Sequence, residues 1–139
     1  MNPTDRTRIQ KLVSNYSNYS RREFEGLIKE GKVKINGVKA QLGDHATVQD
    51  KIEVDGKVIK FKTKHDYYVV NKPKGYISNR TDERGKPVIS LIENYQERNL
   101  FTVGRLDVNT TGLIIVTNDG DLSEKVTSPK SGKKKEYLA

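Results

Sequence analysis

An α+β fold in two small domains is what this chain predicts, and three observations carry that expectation. Apolar residues recur at helical spacing within the first thirty positions. The period then drops to two around Asn36-Gly37 and Asp55-Gly56, and strand-like runs return at 67–70, 100–103 and 113–117. Two helices on a short twisted sheet, followed by a largely antiparallel sheet, satisfy this order. The pattern shifts near residue 64, giving one domain over 1–62 and a second over 63–139.

The elements follow in turn. A helix over residues 5–14 would bury Ile9, Leu12 and Val13. Ser20-Arg21-Arg22-Glu23 reads as a capping box, in which the serine hydroxyl accepts from the first turn while the glutamate reaches back to the cap residue. Phe24, Leu27 and Ile28 then share one face, and Gly31 is placed to end the helix in the left-handed region. Val33 and Ile35 precede the Asn-Gly turn; Ile52, Val54 and Val58 flank the Asp-Gly turn. Residues 60–64, Lys-Phe-Lys-Thr-Lys, read as a linker. Tyr67-Tyr68-Val69-Val70 reads as a buried strand entering the loop Asn71-Lys72-Pro73-Lys74-Gly75, whose lysines either touch phosphate or keep the turn hydrated, phosphate contact being slightly favoured. Val88-Ile89 and Leu91-Ile92 suit a short helix. Asn118-Asp119-Gly120-Asp121 can turn the chain and cap a helix through residue 126, so these acids are expected to be structural.

Composition narrows the chemistry. The 139 residues carry no cysteine and two histidines, which removes disulfides, thiolate sites and thiol catalysis and leaves no metal expected. No apolar run is long enough to cross a bilayer, and the polar start Met1-Asn2-Pro3-Thr4-Asp5 lacks a signal-peptide core, so a cytoplasmic protein without membrane attachment is expected. A net charge of +8 favours a polyanionic partner. The excess lies toward the N-terminus, where residues 1–64 hold 14 Lys/Arg against 8 Asp/Glu and residues 65–139 hold 12 against 10. No basic amphipathic helix offers a broad apolar face to lipid, so nucleic acid is the better partner.

The richest stretch for chemistry is Gly104-Arg105-Leu106-Asp107, followed by Val108-Asn109-Thr110-Thr111-Gly112 and the apolar run 113–116. It presents one carboxylate in a loop between two strands, with a guanidinium two residues earlier and glycines at both ends. Spacing alone leaves two readings open: an aspartate bonded to its own turn with Arg105 as a surface ion pair, or a reactive carboxylate.

This stretch resembles the signature of the ribosomal RNA pseudouridine synthases, within the branch holding small-subunit synthase A and large-subunit synthase B. Ser20–Glu23, Asn71–Gly75, and Gly132 through Lys135 to Tyr137-Leu138 agree with that family in order. The segment from Thr81 to Pro87 and the wording Asp-Val-Asn-Thr are most similar to synthase B. The first sixty residues resemble the RNA-binding domain first recognised in ribosomal protein S four.

The resemblance implies a mixed, largely antiparallel catalytic sheet, no cofactor, and isomerisation of a uridine in ribosomal RNA. It makes Asp107 the catalytic carboxylate, acting as nucleophile or as base. Arg105 would hold the flipped-out arrangement and Tyr137 would pack on the uracil. RNA-binding positions would be Arg8, Lys11, Arg21, Arg22, Lys29, Lys32 and Lys34, with structured ribosomal RNA or a ribosomal assembly intermediate as partner and a monomer as the working state. Family members usually continue past the position of Ala139 through a second half of the sheet, with a basic residue that pairs with the aspartate. This chain is therefore expected to be a C-terminally truncated piece of an active parent, its own activity in doubt. Ser128 stands where relatives commonly carry histidine. The competing class is a non-catalytic RNA-binding or ribosome-associated protein. A hydrolase built on Asp107 is weaker, because no second carboxylate has metal-binding spacing.

Overall fold

The computed structural model describes residues 2–62, 64–80 and 84–139. The chain forms two compact units, one from residues up to His65 together with Glu97–Asn99, the other from Asp66–Gln96 and Leu100–Ala139. Among the described residues no helix is long and apolar enough to cross a membrane.

The first unit opens with a two-residue strand, β1 (Thr7–Arg8), and a helix, α1 (Ile9–Tyr16). The helix expected over 5–14 therefore starts later and ends later. Thr7 and Arg8 are taken up in antiparallel pairing with Ala46 and His45, and the Ile9 N–H donates to the Asp44 carbonyl, so these groups are not available to a helical turn beginning at residue 5. The capping box at Ser20 forms in both directions, with Glu23 N–H donating to Ser20 Oγ (3.2 Å) and Ser20 N–H donating to Glu23 Oε2 (3.3 Å). It opens α2 (Arg21–Lys29), which ends at Gly31 with φ of 74°. Strands β2 (Val33–Ile35), β3 (Val38–Lys39), β4 (His45–Ala46), β5 (Ile52–Val54) and β6 (Lys57–Val58) follow. The antiparallel order β3-β2-β5-β6 makes one sheet, and β1 pairs with β4. Both expected hairpin turns form, with positive φ at Asn36 and Gly37 and again at Asp55 and Gly56. Ile9, Leu12, Val13, Phe24, Val33 and Ile52 are fully buried between the helices and this sheet.

In the second unit β7 (Tyr67–Lys72) leads to the short strands β8 (Tyr76–Ile77) and β9 (Lys86–Pro87), which pair in parallel. A 3-10 turn at Val88–Leu91 takes the place expected for a short helix. Strands β10 (Phe101–Val103) and β11 (Gly112–Thr117) complete an antiparallel sheet of order β10-β11-β7. The expected helix after it is α3 (Gly120–Thr127), capped by the Asp119 side chain accepting from Leu122 N–H at 3.0 Å, which gives that acid its structural role.

The buried strand expected at 67–70 forms, but only one of its faces is covered. Tyr68 and Val70 turn toward Ile89, Ile92, Leu100 and Val116, but Tyr67 and Val69 are 55% and 69% exposed, beside Leu113 at 73%. Alternation places these three on the sheet's other face, which is bare among the described residues.

Candidate active site

Asp107 sits between β10 and β11, in a loop that Gly104 enters with φ of 78°. The Thr110 N–H closes a turn onto the Asp107 carbonyl at 2.9 Å. Among the described residues no hydrogen bond ties the Asp107 carboxylate to that turn, so the bland reading of a self-bonding aspartate does not hold. The side chain is exposed and lines a cleft of about 250 Å³ with Arg105, Arg84, Asn79 and Ser78; Ile77, Leu106 and Val108 supply its apolar lining. One carboxylate beside two guanidiniums suits a polyanion that must be held while a single acid acts.

The loop is held from both sides. Lys72 is fully buried, and its Nζ donates to the carbonyls of Thr110 (2.7 Å), Pro73 (2.9 Å) and Val108 (3.3 Å). Three donors meet three acceptors, which is how a buried lysine is tolerated. This corrects the expectation for the Asn71–Gly75 loop as far as Lys72 is concerned: its amine faces inward to carbonyls and is out of reach of phosphate, while Lys74 stays exposed. The Gly75 N–H donates to the same Val108 carbonyl at 2.8 Å. On the other side of Asp107, Ser78 Oγ donates to the Leu106 carbonyl (2.9 Å) and accepts from the Leu106 N–H (3.0 Å).

The approach of β8 to β9 next to the cleft needs a glycine. A Cβ on Gly85 would lie 2.6 Å from the Gly75 carbonyl oxygen, closer than a side chain can stand. Residues 81–83 of the Thr81–Pro87 segment lie outside the described residues.

Arg105 and Asp107 are thus brought to one cleft. Tyr137 is not among its lining residues; it stands in the C-terminal stretch 132–139, 85% exposed. The RNA-binding candidates all lie in the first unit. Arg21 and Arg22 are exposed in the first turn of α2, where backbone N–H groups add positive potential, and Lys29 is exposed in its last turn. Arg8 closes β1, Lys11 is half-buried on α1, and Lys34 is exposed on β2. Lys32 pairs with Glu30 at 2.8 Å, a hydrogen bond and charge that hold its amine above the ordinary lysine range.

Sequence reasoning did not nominate Ser78. A serine after a Tyr-Ile pair carries no periodic or compositional signal.

Comparison with known proteins gives consistent matches to both units. Residues 66–139 match the family model described as RNA pseudouridylate synthase, and residues 7–52 match the S4 domain. The ribosomal large subunit pseudouridine synthase B of Bacillus subtilis is 40% identical over 134 residues, covering 95% of this chain and 54% of that protein. An uncharacterized RNA pseudouridine synthase of Aquifex aeolicus is 43% identical over 136 residues, with 95% and 54% covered. A solved pseudouridylate synthase is 28% identical, covering 88% of this chain and 53% of that one with a TM-score of 0.48. The chain spans about half the length of the curated relatives it matches.

Proposed function

Because this chain belongs to the RNA pseudouridylate synthase family, we propose that it serves the conversion of a uridine to pseudouridine in ribosomal RNA, with Asp107 as the acting carboxylate. The observation that supports this most is the Asp107 carboxylate, open in a cleft with Arg84 and Arg105 while Ser78 ties the peptide before it and the Thr110 N–H ties the carbonyl after it. The name of the Bacillus subtilis relative makes large-subunit RNA the favoured substrate class.

The reaction breaks the bond from ribose C1′ to uracil N1, turns the base and joins C1′ to C5, with the C5 proton lost to water and the freed N1 gaining one from water. It balances without an oxidant or reductant. Asp107 serves either as a nucleophile toward sugar or base, or as a base toward a sugar proton. A paired uridine must first leave its stack, at about a few kcal/mol. Arg105 would hold the flipped-out arrangement, and Tyr137, exposed on the C-terminal stretch, would stack on the uracil.

Residues 1–62 would supply affinity for structured ribosomal RNA or an assembly intermediate in the cytoplasm, and residues 63–139 would supply the chemistry. Arg21 and Arg22 are the strongest phosphate contacts of the first domain, since they combine guanidinium forks with a helix N-terminus.

One experiment with two arms tests this in the full-length protein. Asp107→Asn should abolish single-turnover isomerisation of a ribosomal RNA fragment and leave affinity within about twofold, since volume is kept and only acid-base or nucleophilic capacity is lost. Arg21→Ala with Arg22→Ala should weaken binding and reduce the salt slope by about one unit per lost contact, with the rate at saturation unchanged. Substantial turnover by Asp107→Asn would remove that residue from the reaction. An inactive wild-type protein that still binds RNA would favour the non-catalytic RNA-binding reading.

A further inference from the structure

We infer that Ser78 is a positioning residue for Asp107, acting through the backbone of Leu106. This deepens the reading proposed above and rests on it. A single hydroxyl satisfies both backbone groups of the residue directly before the aspartate: Ser78 Oγ donates to the Leu106 carbonyl at 2.9 Å and accepts the Leu106 N–H at 3.0 Å.

Ser78 is itself tied down, because its carbonyl accepts from Thr102 Oγ1 at 3.2 Å, which links it to β10. The peptide after Asp107 is fixed independently, its carbonyl accepting from the Thr110 N–H at 2.9 Å, and the next carbonyl along, that of Val108, accepts from the Gly75 N–H and the Lys72 amine. Asp107 therefore hangs between two held peptides, and little beyond its own side-chain torsions remains free. That matters because the carboxylate is exposed and gains no support from hydrogen bonds of its own among the described residues. Its position has to come from the main chain.

The hydroxyl is engaged as donor and as acceptor, so Ser78 is placed to orient and not to react. Alanine would leave the Leu106 N–H and carbonyl to water from the adjoining cleft. The fold would survive, but the main chain before the aspartate would lose its tie. Threonine keeps both bonds. An error of about 1 Å in the position of a reacting group costs on the order of 100-fold in rate, so the signature is a slow enzyme that still binds RNA.

The test uses Ser78→Ala and Ser78→Thr in the full-length protein. Three quantities are measured: the single-turnover isomerisation rate at saturating RNA, the RNA dissociation constant, and amide hydrogen exchange at Leu106. Ser78→Ala should slow the rate roughly 10- to 100-fold at unchanged affinity, and should speed Leu106 exchange by about 10-fold or more. Ser78→Thr should restore both.

An alanine variant at the wild-type rate overturns the inference. So does a rate loss accompanied by wild-type protection at Leu106, a loss explained by weaker RNA binding, or a threonine variant as slow as alanine. If the wild-type protein makes no pseudouridine, the functional reading fails on its own, and Leu106 exchange still decides whether Ser78 holds the loop.

Discussion

The first unit buries its apolar residues between two helices and a four-stranded sheet, with Ile9, Leu12, Val13, Phe24, Val33 and Ile52 wholly out of water. The second unit packs one side of its three-stranded sheet and leaves Tyr67, Val69 and Leu113 exposed on the other. Its order near the cleft comes instead from polar ties, Lys72 on three carbonyls and Ser78 on Leu106, while at the far end of the β7–β11 pair Thr117 Oγ1 donates to the Asp66 carbonyl. Hydrophobic burial is non-directional and suits a domain proposed to bind through its surface. Hydrogen bonds are directional and suit a loop proposed to present one carboxylate. The two units should therefore break under different substitutions.

The largest effect is expected at the apolar end of this contrast. Phe24→Ala removes a fully buried ring from the first cluster and should cost about 3–5 kcal/mol, enough to unfold the first unit. Unfolding by urea, followed residue by residue by NMR, should show the first unit's transition collapsing while the second unit's midpoint stays in place. A shared transition would mean that the two units are one cooperative body and that the contrast is misdrawn.

Lys72→Met tests the polar end. Methionine fills the volume of the lysine stem but leaves the carbonyls of Pro73, Val108 and Thr110 without their donor, at an expected cost of about 2–4 kcal/mol confined to the second unit. The same urea series should now shift the second transition alone. A neutral Lys72→Met would show that the loop is held by other means.

Much of the first unit was legible in the sequence because its signals are local. A serine three residues before a glutamate encodes the α2 cap, and Asn36-Gly37 and Asp55-Gly56 encode the hairpin turns through their tolerance of positive φ. What escaped notice is long-range. The β1–β4 pair joins two-residue segments that have no period to detect, and it moved the start of α1 from residue 5 to Ile9. Tyr67 through Val70 are apolar at every position, so alternation could not say which face was covered. Lys72 reads as a surface residue by type, and its burial is decided by carbonyls 36 and 38 positions away. Ser78 meets Leu106 across 28 positions. Of the candidate site, the loop between strands that carries Arg105 and Asp107 was legible, whereas the cleft it lines and the groups that steady it required the fold.

The smallest effect is a pH signature on the bare side of the second unit. Tyr67 donates its phenol proton to Asp119 Oδ2 at 2.6 Å, and the same aspartate caps α3. That hydrogen bond, then burial and the neighbouring negative charge, push the tyrosine up to about 12 from its ordinary value of 10.0. A phenol that holds its proton more tightly when folded stabilises the fold fully below pH 10. That contribution then drains away as pH climbs through 12. The residue is more than half exposed, so the stabilisation is small. Tyr67 should therefore ionise late in a near-ultraviolet absorbance titration, and Tyr67→Phe should remove its step. The melting-temperature gap between wild type and variant should hold steady up to pH 10 and close between 10 and 12. A late part of the titration that is the same in wild type and Tyr67→Phe would remove the Tyr67–Asp119 bond from the ties that order the second unit.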